Sequence, residues 1–338
     1  MAAIRIGVVG ARDGRPYLEA LARRDDVVLA GVCDTDTEAL SRAAAELGLT
    51  LAVTDDERLL RCGSIDAVVI STPEHTHRKF VVHALQAGLH VYCAPPVART
   101  LDDCRRLLAL AGHHPGQRVM IGHVARLHPF CQAAHQVISE GRVGRVYAVR
   151  TAIVISGESG SGPAGFRFDA QTATHPLLSL GHAAIGLGKW LAGGELVRVQ
   201  ARGTQQVLLQ QPFDDTISAR YETDQGAVVE VFVAAGAKCP PTLSAEVLGT
   251  EGAIRGASGL TDNRYWTVEA NQFVSHELPG DPPGFGLQAG LDEFLAAIRE
   301  NRPPHVGMAE GVRIVAAALA AAESAERDGA TVEVERLA

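Results

Sequence analysis

The residues best placed to do chemistry stand near the start of the chain. Gly10, Ala11, Arg12 and Gly14 follow an apolar run that begins at Ile4, and Asp34 closes a second apolar run. Gly10 is expected to end a strand and Gly14 to open a helix. Such a helix aims its N-terminal N–H groups at a pyrophosphate, and an acid about twenty residues further on accepts from the adenosine ribose hydroxyls. The pattern is an incomplete G-x-G-x-x-G. Arg12 stands where the middle glycine lets backbone approach phosphate, and the loop is one residue short. The expected cofactor is NAD, because a carboxylate at 34 repels a 2′-phosphate. NADP is the alternative if the Arg12 guanidinium pairs with that phosphate. A β-α-β unit that binds no nucleotide is the competing reading.

A second group of candidates follows the run Ala67–Ile70. Ser71, Thr72 and Pro73 form a loop at a strand C-terminus, where open α/β sheets bind ligands, and His77 comes just after it. Thirteen histidines raise the question of a metal. Neither His75/His77 nor His113/His114 offers a helix-spaced pair with a carboxylate, so no metal is expected. No Ser or Cys sits in a nucleophile elbow.

These residues need a frame. Apolar runs alternate with amphipathic segments up to Gly122: helices over 37–47 and 76–87, a helix capped by Thr100, and strands at 67–70, 90–92 and 119–121. Fully apolar strands separated by helices predict a doubly wound parallel sheet. The pattern then changes. After a helix over 129–139 and a strand over 146–155 comes a Gly/Ser-rich loop, 156–165, then a single helix over 175–191. Alternating segments at 196–201, 216–222, 227–234, 243–248, 265–268 and 272–276 predict an antiparallel sheet. Helices over 287–299 and 309–327 precede a last strand at 332–334. The fold class is therefore α/β: a Rossmann-type parallel sheet over 1–122, then an α+β domain over 123–338 with a large, open, mainly antiparallel sheet. The helix over 309–327 is a candidate to pack back on the first domain.

Composition excludes several classes. The formal net charge is −8 and there is no Lys/Arg block, so neither nucleic acid nor an anionic membrane is an expected partner. The six cysteines form no C-x-x-C pair and suit a reducing compartment. Entry into the first strand by Ile4 leaves no room for a signal peptide. The expected location is cytoplasmic.

Longer stretches carry a resemblance. Thr72-Pro73 with His77, then ALQAGLHVYCAPP, GHVARLHP, SEGRVGRV, LGKWLAG and the ending PPHVGMAEGVRIV are similar, in order, to the Gfo/Idh/MocA oxidoreductases. The resemblance implies NAD(P), a small sugar-like or cyclitol-like substrate, and homodimers or homotetramers built on the C-terminal sheet. Arg126 matches a family arginine that faces the substrate cleft. The departures fall on the chemistry. The family E-K-P triplet, whose lysine contacts nicotinamide and substrate, reads Ala94-Pro95-Pro96. The family D-x-G-x-H-x-x-D pattern, aligned from Trp190, places Ser179, Ala183 and Gly186 at its acid, histidine and second acid. Positions 179 and 183 would share one face of one helix. That face normally carries the acid–base pair.

Two functions follow. One is an NAD(P)-dependent oxidoreductase with an altered active site, acting on a sugar-like, cyclitol-like or imine substrate, with His182 as a displaced acid–base and Arg126 lining the cleft. Imine suits it because thiazolinyl imine reductases, which also resemble this family, share the shortened glycine loop and lack the lysine. The other is a non-redox descendant, either a binding or regulatory protein or a lyase- or isomerase-type enzyme. His175, His123 and Lys238 are weaker candidates. The small residues at 179, 183 and 186 suggest an open pocket.

Overall fold

The computed structural model describes residues 3–155, 174–209, 211–257, 264–269, 272–277 and 286–337. The expected loop 156–165 lies outside the described residues. The chain divides into two compact units. One runs to Gly122 and takes in Leu287–Val312; the other holds the described residues from His123 to Gly286 and those from Arg313 on.

In the first unit, strands Ile4–Val9 (β1), Val27–Cys33 (β2), Ala52–Val53 (β3), Ala67–Ile70 (β4), His90–Cys93 (β5) and Val119–Ile121 (β6) form one sheet in the order β3-β2-β1-β4-β5-β6. Each neighbouring pair within it is parallel. All four residues of β4 are fully buried. Burying one such Val or Ile contributes about 1.5–3 kcal/mol, which is why a run with no polar interruption becomes a central strand. The connecting helices are Arg15–Ala22 (α1), Thr37–Leu47 (α2), Asp56–Leu60 (α3), His77–Gln86 (α4) and Leu101–Gly112 (α5). Three of them start on a side-chain cap: Asp36 accepts from Ala39 N–H, Asp55 from Glu57 N–H and Thr100 from Asp103 N–H.

The second unit begins with Pro129–Ser139 (α6) and Val146–Val154 (β7). Where one helix over 175–191 was expected there are two, Pro176–Ser179 (α7) and Gly181–Ala192 (α8). Leu180 separates them at φ −119°, and Ala183 N–H bonds the Leu180 carbonyl, tightening the first turn of α8. Ser179 and Ala183 therefore do not share the face of one continuous helix. The remaining strands are Leu196–Thr204 (β8), Thr216–Thr223 (β9), Val228–Ala234 (β10), Thr242–Gly249 (β11), Gly252–Ala257 (β12), Arg264–Glu269 (β13) and Gln272–Glu277 (β14). Helices Leu287–Arg299 (α9) and Met308–Glu326 (α10) precede Val332–Glu333 (β15). The order is β14-β13-β12-β11-β7-β10-β9-β8-β15. Pairings are antiparallel except β7 with β10, which run parallel in the middle.

α8 lies against β7, β10 and β11. It is apolar almost all round, and Gly188 brings it so close that a Cβ there would fall 2.6 Å from Val229 Cγ1. The run Ala227–Ala234 is thereby explained. Val229, Val231 and Val233 are buried on one face of the strand, while Glu230 and Phe232 alternate onto the other. On that other face Arg150 bridges Glu230 at 2.9 Å and Glu246 at 3.1 Å, and Arg255 joins Glu246. Among the described residues, no helix is long and apolar enough to cross a membrane.

Candidate active site

In the first unit the loop after β1 is set by two glycines. Gly10 sits at φ +112°, and a Cβ on it would fall 2.0 Å from the Ser71 carbonyl oxygen. A Cβ on Gly14 would fall 2.2 Å from the Gly10 carbonyl oxygen. Only glycine at both positions lets the chain turn this tightly into α1, which starts directly after Gly14. Asp34, at the end of β2, holds the loop: its Oδ2 accepts from Ala11 N–H (2.7 Å) and Arg12 N–H (3.2 Å), and its Oδ1 from Asp36 N–H (2.9 Å). A carboxylate has about four lone-pair sites, so acceptor capacity remains for ribose hydroxyls. The Arg12 guanidinium is drawn to Asp13 (3.3 Å) and Asp36 (3.5 Å). One cation thus stands between two carboxylates, while Asp34 holds the backbone N–H of the same residue.

The loops after β4 and β5 are braced together. His77 is buried, with Nδ1 2.8 Å from the Pro96 carbonyl oxygen and Nε2 2.7 Å from that of Thr72. Burial lowers its pKa. Both ring nitrogens are engaged by protein, so His77 reaches ligand only through the loops it ties. Ser71 is buried and donates to the Asp13 carbonyl (3.3 Å); Thr72 shares a 2.7 Å hydrogen bond with Thr76; Pro73 is exposed. The Pro95–Pro96 peptide is cis, and Pro95 is half-buried.

In the second unit the sequence candidates gather round α8. His182 stands in its first turn, with Nδ1 3.3 Å from Nδ1 of His123, and the two rings meet edge to face at 5.0 Å between centroids. Burial holds His182 down to about 4 and His123 well below the ordinary histidine range. His123 is 4% exposed, and its Nε2 is buried without a hydrogen-bond partner. Such an atom costs roughly 1–3 kcal/mol. Arg126, 5% exposed, donates to the Gly186 carbonyl (2.9 Å) and lies over the Trp190 ring, on which His135 stacks at 4.1 Å.

The expectation of open volume at 186 is wrong. A Cβ on Gly186 would fall 2.9 Å from Ile314 Cδ1 and 3.6 Å from His123 Nδ1, so the space is already filled. His175 is a cap: its Nδ1 accepts from Leu177 N–H at 3.2 Å, and burial lowers it to about 4. Lys79 pairs with Asp56 and Lys189 with Glu195, and neither sits in these clusters. Sequence spacing could not reveal the His123–His182 contact, because the two lie 59 residues apart. Among the described residues, no group of three His, Cys, Asp or Glu could hold a metal ion.

Residues 4–123 match the oxidoreductase family described by its NAD-binding Rossmann fold, and residues 131–255 match the GFO/IDH/MocA C-terminal domain. The chain belongs to the Gfo/Idh/MocA oxidoreductase family. The 1,5-anhydro-D-fructose reductase of Ensifer adhaerens is 26% identical over 337 residues, 98% of each chain. Two solved structures share the fold. A levoglucosan dehydrogenase in complex with NADH superposes with a TM-score of 0.86 at 21% identity, covering 99% of this chain and 100% of the other. The scyllo-inositol dehydrogenase of Lactobacillus casei, with NAD(H) and scyllo-inositol, gives 0.83 at 22% identity, covering 98% and 99%. The first unit is the family's NAD-binding Rossmann domain.

Proposed function

We propose that this Gfo/Idh/MocA member uses NADH to reduce a carbonyl, or the corresponding imine, on a small sugar-like or cyclitol-like molecule, with His182 giving the proton. The observation that carries this is His182 in the first turn of α8, hydrogen-bonded to His123, beside family acid–base positions that are Ser179, Ala183 and Gly186. Gly10, Ala11, Arg12, Gly14 and Asp34 would hold the dinucleotide, with Ser71, Thr72, Pro73, Pro95 and Pro96 as the neighbouring loops. The Arg12 guanidinium is shared by Asp13 and Asp36, and Asp34 adds a third carboxylate to the loop, which supports NAD over NADP, since a 2′-phosphate would meet net negative charge. Bound NADH supplies the hydride.

The direction of reaction follows from acidity. A general base works best with a pKa near the operating pH. A histidine held near 4 is a weak base for an alcohol proton but, once protonated, a strong acid toward a forming alkoxide. Reduction is therefore favoured over polyol oxidation, and an imine asks still less of the protein. Arg126, held by Gly186 and Trp190, would orient a substrate oxygen. We further propose a homo-oligomer through the outer face of the nine-stranded sheet, where Phe232 is 37% exposed, and a cytoplasmic location.

A non-redox role for the same residues is the second reading. It is favoured by Pro95 at the lysine position and by the filled space at Gly186. Stopped-flow fluorescence with NADH, followed by 1,5-anhydro-D-fructose and inosose probes, separates them. NADH binding with consumption supports reduction, and binding without consumption of any probe supports the second reading.

A further inference from the structure

His123 has no counterpart in the D-x-G-x-H-x-x-D pattern, yet the fold gives it a specific relation to His182. The two Nδ1 atoms lie 3.3 Å apart. Two neutral imidazoles can make that contact only if one donates N–H and the other offers a lone pair. If His123 donates from Nδ1, its Nε2 is an acceptor; if it accepts, its Nε2 carries the proton. That Nε2 is buried and has no hydrogen-bond partner among the described residues, so its capacity for one hydrogen bond is unspent.

We propose that His123 is a proton-relay residue, sharing one proton with His182 across the Nδ1–Nδ1 contact and exchanging it at Nε2 with water or a ligand hydroxyl. The inference rests on the reading of His182 as proton donor. One proton enters at His123 Nε2 as the Nδ1 proton crosses to His182. One proton then leaves His182 from its Nε2 to the alkoxide oxygen, forming the O–H bond. The pair ends neutral with its tautomers exchanged, and solvent exchange of the ring protons resets it. The groups facing His123 are His182 and Arg126, both of which disfavour its imidazolium. On the α10 side stands Ile314, which is apolar and fully buried. A cation on the pair is therefore short-lived, as a relay requires.

The test uses the full chain with NADH bound and ¹⁵N-labelled histidine. Long-range ¹H–¹⁵N spectra are recorded between pH 4 and 8 on wild type, His123→Phe and His123→Gln. Complementary tautomers are expected in wild type, and the His182 midpoint should move by on the order of one pH unit in either variant, as coupled sites require. Like tautomers on both rings, or a His182 titration indifferent to both variants, would overturn the proposal. The kinetic arm follows NADH consumption with 1,5-anhydro-D-fructose as probe. His123→Phe should lower kcat about tenfold or more, with KM little changed and partial rescue by added imidazole. If His182→Gln abolishes turnover while both His123 variants keep wild-type kcat and pH profile, the relay alone fails. If His182→Gln turns over normally, or the probe is not consumed, the proposed function fails and the spectra decide the shared proton by themselves.

Discussion

Replacing Asp34 by Asn separates charge from shape at the nucleotide loop. Asn keeps one carbonyl oxygen for Ala11 and Arg12 N–H but presents an NH₂ where Asp36 N–H now donates to Oδ1. Losing one such charge-assisted bond costs about 1.5–3 kcal/mol of local stability. The electrostatic change acts on NADPH far more than on NADH. A 2′-phosphate carries about −1.5 to −2, as other phosphate monoesters do. Against a carboxylate about 5 Å away, each unit charge costs roughly 0.8 kcal/mol in water. Removing the carboxylate should then relieve about 1–2 kcal/mol, a rise of roughly five- to thirty-fold in NADPH affinity relative to NADH. Nicotinamide fluorescence titrations on both proteins read this ratio directly. Wild type that binds NADPH more tightly than NADH, or a ratio unchanged in the variant, would show that Asp34 does not face the ribose and that Arg12 governs the choice.

Gly10→Ala puts a Cβ 2.0 Å from the Ser71 carbonyl at a positive φ, and should cost at least about 3 kcal/mol in urea unfolding; a loss under 1 kcal/mol would mean that the loop yields. Gly186→Asp restores the family acid but meets Ile314, so it should destabilise by about 2 kcal/mol or more without creating dehydrogenase activity; a stable variant that oxidises inositol would contradict the filled space. His175 and His182 stay neutral in the fold near pKa 4 but protonate in the unfolded chain near 6.5, so stability is present above pH 6.5 and falls as pH drops toward 4. Each contributes roughly 3 kcal/mol across that window, and urea midpoints at pH 7.5 and 5.0 should show a loss that His182→Gln reduces. Multi-angle light scattering at micromolar concentration should give a dimer or tetramer, and a monomer would refute assembly through the sheet.

The first unit was largely legible because its signals are local. Asp36 and Thr100 mark helix starts by accepting from N–H groups three residues on, and the wholly apolar run Ala67–Ile70 could only be a buried strand. The family resemblance likewise rested on short runs in order. What escaped was set by contacts distant in sequence. Leu287–Val312 belongs with the first unit although it follows eight of the nine strands of the large sheet. β12 reads Gly-Ala-Ile-Arg-Gly-Ala, too short of large apolar residues to declare itself, and is held by pairing with β11 and β13. The break at Leu180 has no proline to announce it. Gly186 suggested space, yet Ile314, more than a hundred residues later, fills it. At the candidate site the spacing found the loop from Gly10 to Asp34. It gave no sign that His123 and His182 touch, since a lone histidine in each segment carries no period.

The central claim is that His182 gives the proton in an NADH-linked reduction. The direct measurement is kcat for NADH consumption with 1,5-anhydro-D-fructose between pH 4.5 and 8, in wild type and His182→Gln, at NADH concentrations that saturate both. The rate should rise as pH falls toward 4, the direction in which His182 takes up its proton. The variant should lose about 10²- to 10⁴-fold, the usual contribution of a positioned acid, together with that pH dependence. A wild-type rate that is flat or rises with pH, or a variant that keeps its rate, would contradict it.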